Sequence, residues 1–149
     1  MKKIIYLAVM LTGLVSSAAT PPRVSERVLK AFNETFSAAE NVVWKEFENK
    51  NCEASFQQTE ISVRAMYDPE GNLLETVRTY AEKYLPPNII ARLKKKHAGK
   101  EVFTVTESTS ETQVSYYITL KDAKNWYVIQ SDPYGNFQQL DKFKRGEGD

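Results

Sequence analysis

The sequence predicts an α+β protein: a tandem duplication of a helix followed by a four-stranded antiparallel meander, with the helices packed on one sheet face. Three observations predict it. The pentapeptide Asp68-Pro69-Glu70-Gly71-Asn72 returns as Asp132-Pro133-Tyr134-Gly135-Asn136. Proline presets φ at the second turn position, aspartate can bond the backbone ahead, and glycine accepts φ > 0. Each copy therefore reads as a type I turn closing into a glycine bulge between antiparallel strands. Upstream of each turn, apolar residues recur at helical spacing: Val24, Val28, Ala31, Phe32 and Phe36 in the first case, Ile89, Ile90 and Leu93 in the second. Such a recurrence marks a repeated supersecondary unit. Third, around each turn lie runs in which apolar and polar residues alternate, the period of a strand buried on one side.

The chain opens with Met1-Lys2-Lys3, an apolar run from Ile4 to Val15, and the small residues Ser16-Ser17-Ala18-Ala19. This is the pattern of a secretory signal over residues 1–19, and the apolar run falls short of the roughly 20 residues a membrane span needs. No cysteine stands at the junction to carry a lipid, so a soluble exported protein is expected. Residues 20–149 then form one domain of two repeats, about 22–80 and 84–143. With Lys2 and Lys3 removed the charge is close to neutral, which argues against a general nucleic-acid binder. Cys52 is the single cysteine; an internal disulfide is impossible, and a small buried side chain is the expected role.

Ser25 is placed to cap the first helix. Strands are expected at Val42 to Glu48, Cys52 to Gln57, Ile61 to Tyr67 and Leu73 to Tyr80. If the turn pairs Asp68 with Asn72, Tyr67 faces Leu73, Val63 faces Val77 and Arg64 faces Thr76. Ser62, Arg64, Thr76, Arg78 and Tyr80 then lie away from the helix, beneath which Ile61, Val63, Tyr67, Leu73 and Val77 pack. The second helix opens at Leu85-Pro86-Pro87, where proline suits the first turn. It ends in Lys94, Lys95 and Lys96, favourable for the helix dipole, with Gly99 as its cap. Strands follow at Glu101 to Glu107, Gln113 to Leu120, Asn125 to Gln130 and Phe137 to Phe143. Trp126-Tyr127-Val128-Ile129 is apolar on both sides, so either the two units share a sheet face or this strand carries a contact surface.

Chemical signals are sparse. His97 is the sole histidine; a hydrolytic triad would have to use it as base, and no nucleophile motif accompanies it. It falls where Phe36 stands in the first repeat, which makes it a helix-end residue. Asp68, Glu70 and Asn72 put oxygen groups at alternate positions as calcium sites do, but Gly71 is misplaced for an EF-hand loop and Tyr134 replaces Glu70 in the second copy. One histidine and one cysteine do not make a zinc site. The tyrosines are more suggestive: Tyr80, Tyr116, Tyr117 and Tyr127 fall in strands, where a ring can be buried while its hydroxyl stays wet, as recognition surfaces use it.

The order of elements, Val43-Trp44 in the first strand, the Asp-Pro-x-Gly-Asn turns and Leu85-Pro86 before the second helix together resemble the periplasmic PepSY-like proteins described as β-lactamase-inhibitor-like. The resemblance spans nearly the whole exported chain. It implies helices on one side of antiparallel sheet and an opposite face offered to a partner, and it brings no catalytic residue. The expected function is a non-catalytic periplasmic binding or inhibitory module for a protein or peptide, using Arg64, Thr76, Arg78, Tyr80, Tyr117 and Trp126, with no cofactor. The alternatives are a small-ligand or calcium-binding protein, the latter through Asp68, Glu70 and Asn72, and a hydrolase using His97.

Overall fold

The computed structural model describes residues 23–146; the expected leader and the last residues of the tail lie outside them. Helix α1, Glu26–Thr35, is capped by Ser25, whose Oγ accepts from the Val28 N–H at 3.3 Å. Four strands follow: β1 Glu40–Glu46, β2 Cys52–Gln58, β3 Ile61–Tyr67 and β4 Leu73–Tyr80. A short 3-10 turn, Glu82–Tyr84, leads into helix α2, Pro87–Lys96, with proline at its first position. It closes at His97, earlier than the Gly99 cap that the sequence suggests. Strands β5 Glu101–Ser110, β6 Val114–Lys121, β7 Asn125–Ser131 and β8 Phe137–Lys144 complete the chain.

The architecture corrects the predicted one. The eight strands form one continuous antiparallel sheet in the order β1 to β8, not a four-stranded meander repeated with its own helix. The joint is β4 with β5, where Glu75 to Tyr80 pair with Ser110 to Val105. A strand ending a four-stranded meander would leave a row of backbone donors and acceptors unpaired. The chain returns through α2 and fills that row, so no sheet boundary falls between the halves.

Two hydrophobic clusters lie on the same face of this sheet. Val28 and Phe32 of α1 pack with Cys52, Ala54, Phe56, Val63, Ala65 and Tyr67. Ile89 and Leu93 of α2 pack with Val105, Ile118, Leu120 and Ile129, among others. Each Asp-Pro-x-Gly-Asn turn is fastened to the helix above it through the proline carbonyl: Ser25 Oγ donates to Pro69 O at 3.4 Å, and Asn88 Nδ2 to Pro133 O at 2.9 Å.

The register of β4 corrects a second expectation. Tyr67 pairs with Leu73 as the turn requires, but Met66 pairs with Glu75, so Leu74 bulges out and the rest of β4 shifts by one residue. Because side chains alternate between faces, this shift exchanges the two sets. Val63 now faces Arg78, Ala65 faces Thr76, and Arg64 faces Val77. Thr76, Arg78 and Tyr80 therefore lie on the helix side, and Val77 leaves the core face. The edge strands also carry irregularities, in β1 between Glu40 and Val43 and in β8 at Leu140.

Candidate functional site

The face opposite the helices is built from rows of residues running across the strands. One row is Val43, Ser55, Arg64, Val77, Ser108 and Ser115. The next is Gln57, Ser62, Thr79, Thr106, Tyr117, Gln130 and Gln138. Their hydroxyls and amides bond laterally: Gln57 Nε2 donates to Ser62 Oγ at 2.8 Å, and Ser108 Oγ to Glu75 Oε1 at 2.7 Å. Arg64 stands near Glu53 at 3.9 Å with its side chain 57% exposed. A cavity of about 400 Å³ opens at the far end of the second row, lined by Gln113, Ser115, Gln130 and Gln138 among others.

At the opposite end the face becomes aromatic. Lys121, Trp126 and Phe143 form one row, and the Trp126 ring meets Phe103 edge-on, 4.9 Å between centroids at 78°. Phe103 is 57% exposed, Phe143 47% and Tyr117 37%. Lys121 Nζ stands 5.3 Å from the Phe103 centroid and the Arg145 guanidinium 5.4 Å from that of Trp126, within the reach of cation–π attraction. The corner thus combines apolar area with two cations, of which Lys121 also pairs with Glu101 at 3.4 Å. Of the sequence-predicted residues, Arg64, Tyr117 and Trp126 lie on this face. The sequence reading missed Phe103, Phe143, Lys121 and Arg145; the signal pointing their way was the two-sided apolar run of β7.

Thr76, Arg78 and Tyr80 stand on the helix side, where Tyr80 is a buried member of the second core. Arg78 pairs with Glu107 at 3.1 Å, and the Tyr80 hydroxyl donates to the same carboxylate at 2.5 Å. Burial, followed by that hydrogen bond and the charge of Glu107, pushes the Tyr80 phenol well up. This cluster joins β4 to β5.

His97 packs edge-on against Phe137, 5.8 Å between ring centroids, and its Nε2 is buried without a hydrogen-bond partner. Burial and then the charges of Lys100 and Lys96 hold its pKa below the ordinary value. The Asp68 carboxylate is taken up inside its own turn, accepting from Asn72 N and Nδ2 at 2.8 Å each. Among the described residues no group of three or more His, Cys, Asp or Glu is arranged to hold a metal ion.

No protein-family model matches the sequence, and neither does any curated protein. Solved structures do match. A BLIP-like protein from Bacteroides fragilis superposes with a TM-score of 0.62 at 18% identity, over 89% of this chain and 92% of that one. A DUF2874 family protein from Bacteroides ovatus gives 0.61 at 18%, over 85% and 89%. A Bacteroides eggerthii protein described, by inference, as periplasmic gives 0.60 at 16%, over 85% and 90%. At these identities the likeness is one of fold. It supports the β-lactamase-inhibitor-like part of the sequence resemblance, and none of these structures is described as PepSY-like. No helix among the described residues is long and apolar enough to cross a membrane.

Proposed function

We propose that this protein is a non-catalytic periplasmic module that takes a protein or peptide partner on the sheet face opposite its helices. The observation that carries the reading is the aromatic corner of Phe103, Trp126 and Phe143 with Lys121 and Arg145, adjoining the hydroxyl- and amide-rich rows that contain Tyr117 and extend to Arg64. Binding energy in protein interfaces concentrates in aromatic and arginine anchors surrounded by polar contacts that exclude water. The BLIP-like fold supports a protein ligand over a small molecule. Phe103 and Phe143 lie outside both cores, so truncating them tests binding without removing core packing.

The test is retention of a partner from periplasmic extract, followed by its affinity for wild type and variants. Phe103→Ala/Phe143→Ala should weaken binding by at least about 30-fold, the equivalent of roughly 2 kcal/mol at an anchor, with the melting temperature little changed. Arg27→Glu on the exposed side of α1 should leave binding intact. A partner retained equally by wild type and the aromatic double variant would remove the open face from the reading.

A further inference from the structure

We infer that the groove between α2 and the start of β8 binds an extended acidic peptide segment, at a surface separate from the open sheet face. The groove encloses about 760 Å³ and is lined by Arg92, Lys95, Lys96, Gly135, Asn136 and Phe137. Three cations border it, and no carboxylate does. Several acids of the second half are already engaged elsewhere: Glu82 with Lys94, Glu101 with Lys121, Glu107 with Arg78, and Asp132 inside its turn with Asn136. Lys96 Nζ donates to the Phe137 carbonyl at 3.3 Å, and Arg92 and Lys95 form no ion pair among the described residues.

Helix-dipole pairing accounts for cations in the last turn of α2, and so for Lys95 and Lys96. It does not account for Arg92, a turn earlier, nor for its position. The Arg92 stem lies across Gly135, where φ is +79° and an added Cβ would come 2.7 Å from Arg92 Cδ. Only glycine lets the stem rest there, and the turn backbone thereby holds the guanidinium at the groove. Residues 95 and 96 stand three and four positions after 92, so each lysine neighbours Arg92 on the helix surface at about 5–6 Å spacing. Alternate side chains of an extended segment repeat at roughly 7 Å, which suits carboxylates borne on a strand. A compact phosphate spans less of this row of cations than a strand bearing several carboxylates does. The Phe137 ring gives the segment an apolar floor.

The probe is a fluorescein-labelled decapeptide of alternating glutamate and serine, followed by anisotropy at low salt. Arg92→Glu/Lys95→Glu should weaken it by about tenfold or more, while Lys124→Glu in the β6–β7 turn, which does not line the groove, should change it by less than about twofold. Added salt should weaken wild-type binding. Gly135→Ala displaces Arg92 without altering charge and should also weaken binding several-fold. If that variant unfolds, Arg92→Lys, which keeps the charge and loses the planar fork, is read in its place with the same expectation. Equal loss in Lys124→Glu, equal binding of a glutamine-for-glutamate peptide, or full binding by both Gly135→Ala and Arg92→Lys would overturn the site. Displacement of the peptide by inorganic phosphate at matching affinity, or by vesicles of phosphatidylcholine and phosphatidylglycerol, would overturn the peptide as occupant. Because the open-face aromatics are intact in every variant, the result stands apart from partner binding there.

Discussion

His97 closes α2 as Phe36 closes α1, with nearly the same backbone angles and the same N–H bond back to the helix, to Leu93 and Phe32 respectively, at 2.8 Å. A titratable ring therefore occupies a place that an apolar one fills elsewhere. Its folded-state pKa is depressed, first by burial and then by Lys100 and Lys96, so the unfolded chain takes up the proton more readily. The stability this residue lends is complete above the unfolded-state value of about 6.5 and is lost as pH falls through the lower folded value. Urea unfolding of wild type and His97→Phe across pH 7.5 to 5 should show the wild type losing ground to the variant as the solution is acidified. A difference that does not change with pH would mean that the imidazole is solvated. That His97 is a helix-end residue was legible from its match to Phe36. Its unpartnered Nε2 was not, because that depends on Phe137 arriving from the far end of the chain.

At the scale of elements, β4 shows how far local signals reach. The turn residues predicted the pairing of Tyr67 with Leu73, which holds, and then lost the register one residue later at Leu74. Nothing in an ordinary leucine announces a bulge; it follows from fitting β4 between two partners, and the second of these, β5, comes after a whole helix. The consequence is that Arg64 and Arg78, assigned to one face by simple alternation, stand on opposite faces. Arg78→Ala leaves the mostly buried Glu107 with the Tyr80 hydroxyl but without its cation, and should cost about 1–2 kcal/mol after allowance for the exposure of Arg78. Arg64→Ala should cost under about 0.5 kcal/mol, and Phe32→Ala about 3–5 kcal/mol, as buried phenylalanine truncations do. Equal losses at the two arginines in urea unfolding would contradict the shifted register. The same reasoning applies to the aromatic corner. Trp126 and Tyr117 were legible in their own strands, but Phe103 sits at an irregularity of β5, and Phe143 reaches Trp126 only through long-range pairing.

For the molecule as a whole, the continuous sheet makes two helix-covered cores into one body. Ile61 packs against both clusters, and Arg78 with Tyr80, itself a member of the second, holds Glu107 across the joint of β4 and β5. The expected behaviour is a single cooperative transition. Trp44 reports on the first core and Trp126 on the second half, so the single-tryptophan variants Trp44→Phe and Trp126→Phe, with their midpoints corrected for the change in stability, should unfold coincidently in urea. Separated transitions would mean that the halves melt apart. A sheet of this kind, unlike a barrel, never closes, and its two borders remain available for templated growth. The backbone at Asn41 turns to a φ of 56° within the irregular stretch of β1, and Leu140 breaks the pairing rhythm of β8. A copy approaching either border meets a kinked ladder, and at β8 it also meets Lys142 and Lys144. Two local defects thus act as chain terminators, and a variant with either strand straightened would carry the seed of a fibril.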